Sequence, residues 1–177
     1  GRREHWDETV TRLIDYYEYR SLPLLQEEDY EEFGEELLKT KQFILDLKVM
    51  PSMRAMMASG PAMEKTDVAA YNCAYLPVDD PRSFDEAMYI LMCGTGVGFS
   101  VEEENTHKLP KIAGRFTDSS TTIVVEDSKE GWASSYRELI SLLYAGIVPK
   151  WDVSGIRPEG SRLKTFGGRP SGPAPVS

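Results

Sequence analysis

A helical stretch that runs through Ala87, Met88 and Leu91 gives way to Cys93-Gly94-Thr95-Gly96-Val97-Gly98-Phe99-Ser100-Val101, a glycine-rich loop that leads into a strand rather than out of one. This order constrains the fold more than any other feature of the chain. A dinucleotide-binding fingerprint needs a strand, then Gly-x-Gly-x-x-Gly, then a helix, and here both the order and the third glycine fail. The Walker pattern is absent too, since no Gly-Lys-Ser/Thr occurs. Glycines in this position let the backbone come close either to a ligand or to a neighbouring strand, and the residues alone leave both readings open.

Around this loop, helical and strand patterns alternate. Trp6, Val10, Leu13, Ile14 and Tyr17 recur at helical spacing, with Asp7 and Glu8 where the dipole favours negative charge, and the pattern ends near Leu22-Pro23. A second helix is expected from about Asp29 to Leu47, with Tyr30, Phe33, Leu37, Ile44 and Leu47 as its buried stripe. The acidic run Glu27 to Asp29, with Glu31 and Glu32, reads as a solvated face. Met50-Pro51-Ser52 breaks the helical pattern, and the methionines at 50, 53, 56, 57 and 63 read as adaptable core filler. Ser59-Gly60-Pro61 marks a turn. Ala70 to Leu76 alternates as a strand does and carries Cys73. Ser83-Phe84-Asp85-Glu86 has capping-box spacing, with Ser83 at the cap. Thr121 to Glu126 reads as a β-branched strand, and Ser128 to Tyr144 as a helix with Trp132, Tyr136, Leu139, Ile140 and Leu143 inward. The Gly/Pro-rich tail from Phe166 to Pro175 is either a disordered end or an irregular site loop.

Size and charge narrow the function classes. A chain of 177 residues is one ordinary domain or a piece of a larger one. Its 29 acidic against 20 basic residues argue against a general nucleic-acid binder, although a nucleotide can bind locally. No apolar run approaches the roughly 20 residues of a membrane span, and no secretory signal follows the first residues, so a cytoplasmic protein is expected. Two cysteines, Cys73 and Cys93, lie outside any Cys-x-x-Cys spacing, and two histidines complete no zinc set. Cys73 is therefore either a packing thiol, as most buried cysteines are, or half of a redox pair.

Several stretches, in order and across nearly the whole chain, carry a resemblance: Gly1 to Val10 (GRREHWDETV), Pro51 to Pro61, Tyr71-Asn72-Cys73, Phe84-Asp85-Glu86, Gly94 to Val101 (GTGVGFSV), Lys129-Glu130-Gly131-Trp132, Ile156-Arg157-Pro158 and Phe166 to Pro175. Together they resemble the N-terminal part of the catalytic protein of ribonucleotide reductases, most closely the adenosylcobalamin-dependent class II form. The resemblance implies an α/β fold, with a helical region over residues 1–48 and roughly the first half of a ten-stranded α/β barrel over 49–177. It implies that Cys73 is one of two thiols that reduce the substrate. Pro51, Ser52, Asn72, Gly94, Thr95, Gly96 and Arg169 would face the ribonucleotide, while Asp80 and Ser83 would belong to a deoxynucleotide effector site or serve as a simple turn and helix cap. In an ideal strand Asn72 would point away from the face of Cys73, so its substrate contact calls for backbone involvement or a local twist.

The family's radical-bearing cysteine, its general-base glutamate, its second reducing cysteine and its cobalamin contacts are not in this chain. The expectation is thus an incomplete reductase that needs the C-terminal remainder, adenosylcobalamin and a thioredoxin-like reductant. The stretch from Val101 to Ile123 is also shorter than the effector-binding insertion of the long monomeric enzymes. A class I large-subunit fragment and a non-catalytic nucleotide-binding or assembly module are the alternatives. No metal site, nucleic-acid partner or membrane partner is expected.

Overall fold

In the computed structural model, residues 3–162 and 169–173 are described, and they fall into two compact units divided after Tyr71. The first unit is helical. Helix α1 (Trp6–Ser21) starts where the backbone N–H of His5 donates to Glu8 Oε2 at 2.8 Å, and a 3-10 turn at Leu22–Leu24, with Pro23 inside it, ends the pattern as expected. Helix α2 (Tyr30–Leu45) follows. Val10, Leu13 and Ile14 of α1 pack with Ile44 of α2 and with Ala55 and Met56 of the short helix α3 (Met53–Ala58), and Trp6, Leu37 and Leu45 lie against this core. The indole N–H of Trp6 donates to the Leu45 carbonyl at 3.3 Å, so a ring that packs also satisfies a helix end.

Two expectations fail in this unit. The stripe of α2 is narrower than its spacing suggests, because Tyr30 and Leu47 are exposed and Ile44 alone among its five members is fully buried. The methionines divide: Met56 and Met63 are core, whereas Met50, Met53 and Met57 lie at the surface. Met56 packs into the core with Ala55, whereas Met53 at the first position of α3 and Met57 one residue on lie outside it. Gly60, at φ +92°, opens helix α4 (Pro61–Lys65).

The second unit alternates strands and helices. Strand β1 (Cys73–Pro77) pairs in parallel with β2 (Gly96–Ser100), and helix α5 (Arg82–Met92) crosses between them. After the short α6 (Glu103–Thr106), strand β3 (Thr117–Val124) pairs in parallel with β4 (Ile147–Asp152), with helix α7 (Lys129–Tyr144) as the crossover. The described residues thus form an α/β arrangement of two parallel two-stranded ladders, and α5 packs on α7. Ser128 caps α7, its Oγ accepting from Gly131 N–H at 2.9 Å.

The cap of α5 differs from expectation. The helix begins two residues earlier, at Arg82, after an Asp80-Pro81 turn in which Asp80 Oδ1 accepts from the Arg82 N–H at 2.8 Å. Ser83 is then inside the first turn and buried, and its hydroxyl donates to the Pro77 carbonyl at 3.0 Å, tying the helix to the end of β1. The inward face of α7 also departs from the apolar pattern. Gly131, Ala133 and Ser135 are its buried residues, whereas Trp132, Tyr136, Leu139, Ile140 and Leu143 are half-buried. No helix among the described residues is long and apolar enough to cross a membrane.

Candidate active-site surface

Parallel pairing of β1 with β2 sets Cys73 opposite Gly96 and Tyr75 opposite Gly98. Side chains two apart on a strand share a face, so Cys73 and Tyr75 stand on one side of the ladder, each beside a position without a Cβ. Both side chains are exposed, Tyr75 at 69%. The three glycines of the loop serve different needs. Gly94 has φ +85° and its N–H donates to the Leu91 carbonyl at 2.9 Å, which closes α5 in the left-handed conformation that glycine favours. Gly96 and Gly98 have no such requirement: a Cβ there would meet nothing nearer than the Asn72 carbonyl at 3.6 Å and the Ala74 carbonyl at 3.8 Å. Packing within this chain leaves room for a side chain at either position. The result is a bare floor beside an accessible thiol and an accessible aromatic ring.

The remaining candidates are distributed unevenly. Asn72 precedes the ladder at a bend, where strict alternation does not apply, and is exposed as Cys73 is; its carbonyl accepts from the Gly96 N–H at 2.9 Å. Thr95 is 1% exposed and belongs to the interior rather than to the open face. Pro51 and Ser52 lie in the first unit, where Ser52 is the N-cap of α3. Asp80 and Ser83 are both engaged in the turn and helix start described above. Arg169 donates from Nη1 to the Gly160 carbonyl at 2.9 Å and is exposed, while Phe166, Gly167 and Gly168 of the same motif lie outside the described residues. Cys93 is 1% exposed, with the Lys129 ammonium 3.6 Å from its sulfur.

A family model described as the insertion domain of B12-dependent ribonucleotide reductase matches residues 100–177. A putative adenosylcobalamin-dependent ribonucleoside-triphosphate reductase of Mycobacterium phage D29 is 30% identical over the whole chain, and the enzyme of that name from Euglena gracilis is 28% identical over 99% of it. A crystal structure of a B12-dependent class II ribonucleotide reductase superposes with a TM-score of 0.87 over 99% of the chain at 24% identity. Along nearly its whole length the chain is similar to adenosylcobalamin-dependent ribonucleoside-triphosphate reductases, and its fold is that of the class II structure. It spans 29% of the phage relative, 26% of the Euglena one and 33% of the solved chain. Against the Lactobacillus leichmannii reductase the alignment extends over 237 residues, compared with 177 here, so at least 60 positions of the aligned stretch have no counterpart in this chain. The stretch from Val101 to Ile123, where sequence alone places a shortened insertion, lies within the residues matched by the insertion-domain model.

Two cavities lie among the helices of the described residues without being the expected nucleotide pocket. One of 520 Å³ lies along α1 and includes Asp7, Glu8, Asp15, Tyr19, Gly60 and Glu64; the other, of 390 Å³, lies between α5 and α7. None of Pro51, Ser52, Asn72, Cys73, Gly94, Thr95, Gly96 or Arg169 lines either one. A two-stranded ladder is a floor, and a pocket over it needs walls from elsewhere. Reading the sequence also missed groups that the fold brings together. Tyr75 stands two residues from Cys73, a relation that strand periodicity alone reveals. Arg12 donates to Glu4, to the Ser59 carbonyl and to the Met56 carbonyl, and this guanidinium holds the Glu4 carboxyl below its usual range. Asp85 pairs with Arg137 from one helix to the other.

Proposed function

We propose that this chain is the thiol-bearing part of an enzyme that converts ribonucleotides to 2′-deoxyribonucleotides, with Cys73 as one of its two reducing thiols. The observation that carries this reading is the accessible Cys73 at the head of β1, beside the bare glycine floor, in a chain that matches class II reductases along its full length. Residues 1–48 form its helical entry and 49–177 the first part of the reductase barrel, which the rest of the polypeptide completes.

The chemistry follows from what a fixed thiol can deliver. A thiyl radical contributed by the remainder of the enzyme takes the 3′ hydrogen of the ribose and later returns it. The 2′ hydroxyl leaves as water. Two electrons and two protons come from Cys73 and a second thiol outside this chain, which end as a disulfide that a thioredoxin-like reductant reopens. The role of β1 is positional: a strand holds the sulfur at one height and one face. The bare backbone at Gly96 and Gly98 lets a flat sugar approach within contact distance, with Asn72 at the rim. Arg169 retains guanidinium donors for a phosphate of the ribonucleotide, and Asp80 lies at the strand-helix junction where a deoxynucleotide effector would bind.

Adenosylcobalamin, which the relatives' names carry, does not fit this chain. The larger cavity is walled by four carboxylates and the smaller by charged helix side chains, whereas a corrin needs a broad, largely uncharged bed. Its seat belongs to the rest of the enzyme.

The test is co-expression of the chain with its C-terminal remainder, followed by assay of deoxynucleotide formation. Cys73→Ser is expected to reduce multiple turnover to background, and Cys93→Ser to leave it intact. Turnover that persists in Cys73→Ser removes the thiol role. Activity without added adenosylcobalamin points instead to a class I large subunit.

A further inference from the structure

Asp85 is 1% exposed, yet only one of its oxygens is satisfied. Oδ2 accepts from Arg137 Nε at 2.9 Å and from Nη2 at 2.6 Å; Oδ1 is buried and accepts nothing. An unmet buried acceptor is costly, and a charged one more so, which makes this atom a request for a donor. Asp85 lines the 390 Å³ cavity between α5 and α7, together with Glu86, Tyr89, Glu130, Ser134 and Arg137. Three carboxylates there face one guanidinium, so the site favours a cation.

The kind of cation can be narrowed. No cluster of three or more His, Cys, Asp or Glu suited to a metal ion occurs among the described residues, which points to a donor with its own hydrogens. The basic groups at the rim are already engaged, Arg137 with Asp85 and Arg82 with Glu86 at 3.4 Å. A second copy docking face to face would bring the same engaged cations. Different sequence must supply the donor, and the relatives are about three times as long as the stretch they share with this chain.

We propose that the α5–α7 cavity receives a lysine or arginine side chain from the reductase polypeptide outside residues 1–177, and that this side chain donates to Asp85 Oδ1. The proposal rests on the reading that such a remainder completes the enzyme. A charge-assisted bond to a buried carboxylate oxygen ties the two parts together and fixes their register.

The test measures association, not turnover, so its failure is separable from failure of the Cys73 assignment. The separately produced C-terminal remainder is titrated into the chain by calorimetry, with thermal unfolding of each variant as the check on folding. Asp85→Asn is expected to weaken association about tenfold, the loss typical of a charged hydrogen bond. Ser134→Phe, which fills the cavity without touching the Asp85–Arg137 pair, is expected to do the same in a chain of unchanged stability. In parallel, ethylguanidinium as a probe should shift the Asp85 carboxyl carbon resonance of the chain alone. Unchanged association in both variants overturns the proposal and leaves a water-filled cavity. A concentration-dependent dimer of the chain that Ser134→Phe abolishes overturns it in favour of a second copy.

Discussion

Leu47 has φ +58°, the one positive value among the described non-glycine residues. It follows the end of α2, where the Leu47 N–H donates to the Ile44 carbonyl at 3.0 Å and the Lys48 N–H to the Phe43 carbonyl at 2.9 Å, a left-handed helix ending in which glycine is the usual occupant. The side chain is 66% exposed and has little packing to lose. Leu47→Gly is therefore expected to stabilise the chain by about 0.5–1 kcal/mol, read as a higher urea midpoint at unchanged slope, because relief of the backbone outweighs the added freedom of the unfolded glycine. Apolar spacing placed Leu47 on the buried stripe because periodicity reports where a helix could continue, not where its last carbonyls turn to find donors. The same limit applies to the two cysteines. Neighbouring residues showed that Cys73 lies on a strand and Cys93 at a helix end, but which of the two sulfurs is accessible depends on what packs above each.

Among the elements, the glycines separate by function, and substitution should separate them too. Gly146 joins α7 to β4 with φ +77°, and a Cβ there would collide with the Arg115 carbonyl and lie 2.8 Å from Ala113 Cβ. Gly146→Ala is expected to cost more than about 2 kcal/mol in unfolding free energy, since the left-handed backbone and the blocked space both oppose it. Gly98→Ala, with open space beside it, should change the stability of the chain by less than about 0.5 kcal/mol. Equal losses at the two positions would contradict the distinction. Order and type of the long helices and of β1, β2 and β3 were legible because breaks such as Pro23 and Pro51 are local signals, whereas β4 and the short helices α3, α4 and α6 were not. The start of α5 was not, since Ser83 and Glu86 have capping spacing but Asp80-Pro81 forms a turn first and carries Ser83 into the helix. The buried face of α7 was missed for a related reason: Gly131, Ala133 and Ser135 are small residues that a search for apolar bulk passes over, and at Gly131 a Cβ would run into Glu126.

For the whole molecule, the resemblance was legible because short motifs recur in order along the chain, although none of them is decisive alone. The enclosed site was not legible as such, since the residues that sequence places around a nucleotide are split between the two units or lie on an open face, and a chain that spans about a third of its relatives supplies a floor without a roof. That view makes a measurable claim about the two thiols. Ellman's reagent reacts with the accessible thiolate, so under native conditions the chain should show one fast thiol, Cys73, and one slow thiol, Cys93, whose rate is set by opening of the structure around it. Cys73→Ser should remove the fast phase and leave the slow one, and denaturant should merge the two. Adding the C-terminal remainder should slow the fast phase several-fold as the face carrying Cys73 and Tyr75 becomes a wall of the site. Two equally slow thiols in the chain alone would mean that the open face is already covered, and an unprotected Cys73 in the complex would mean that the remainder docks elsewhere.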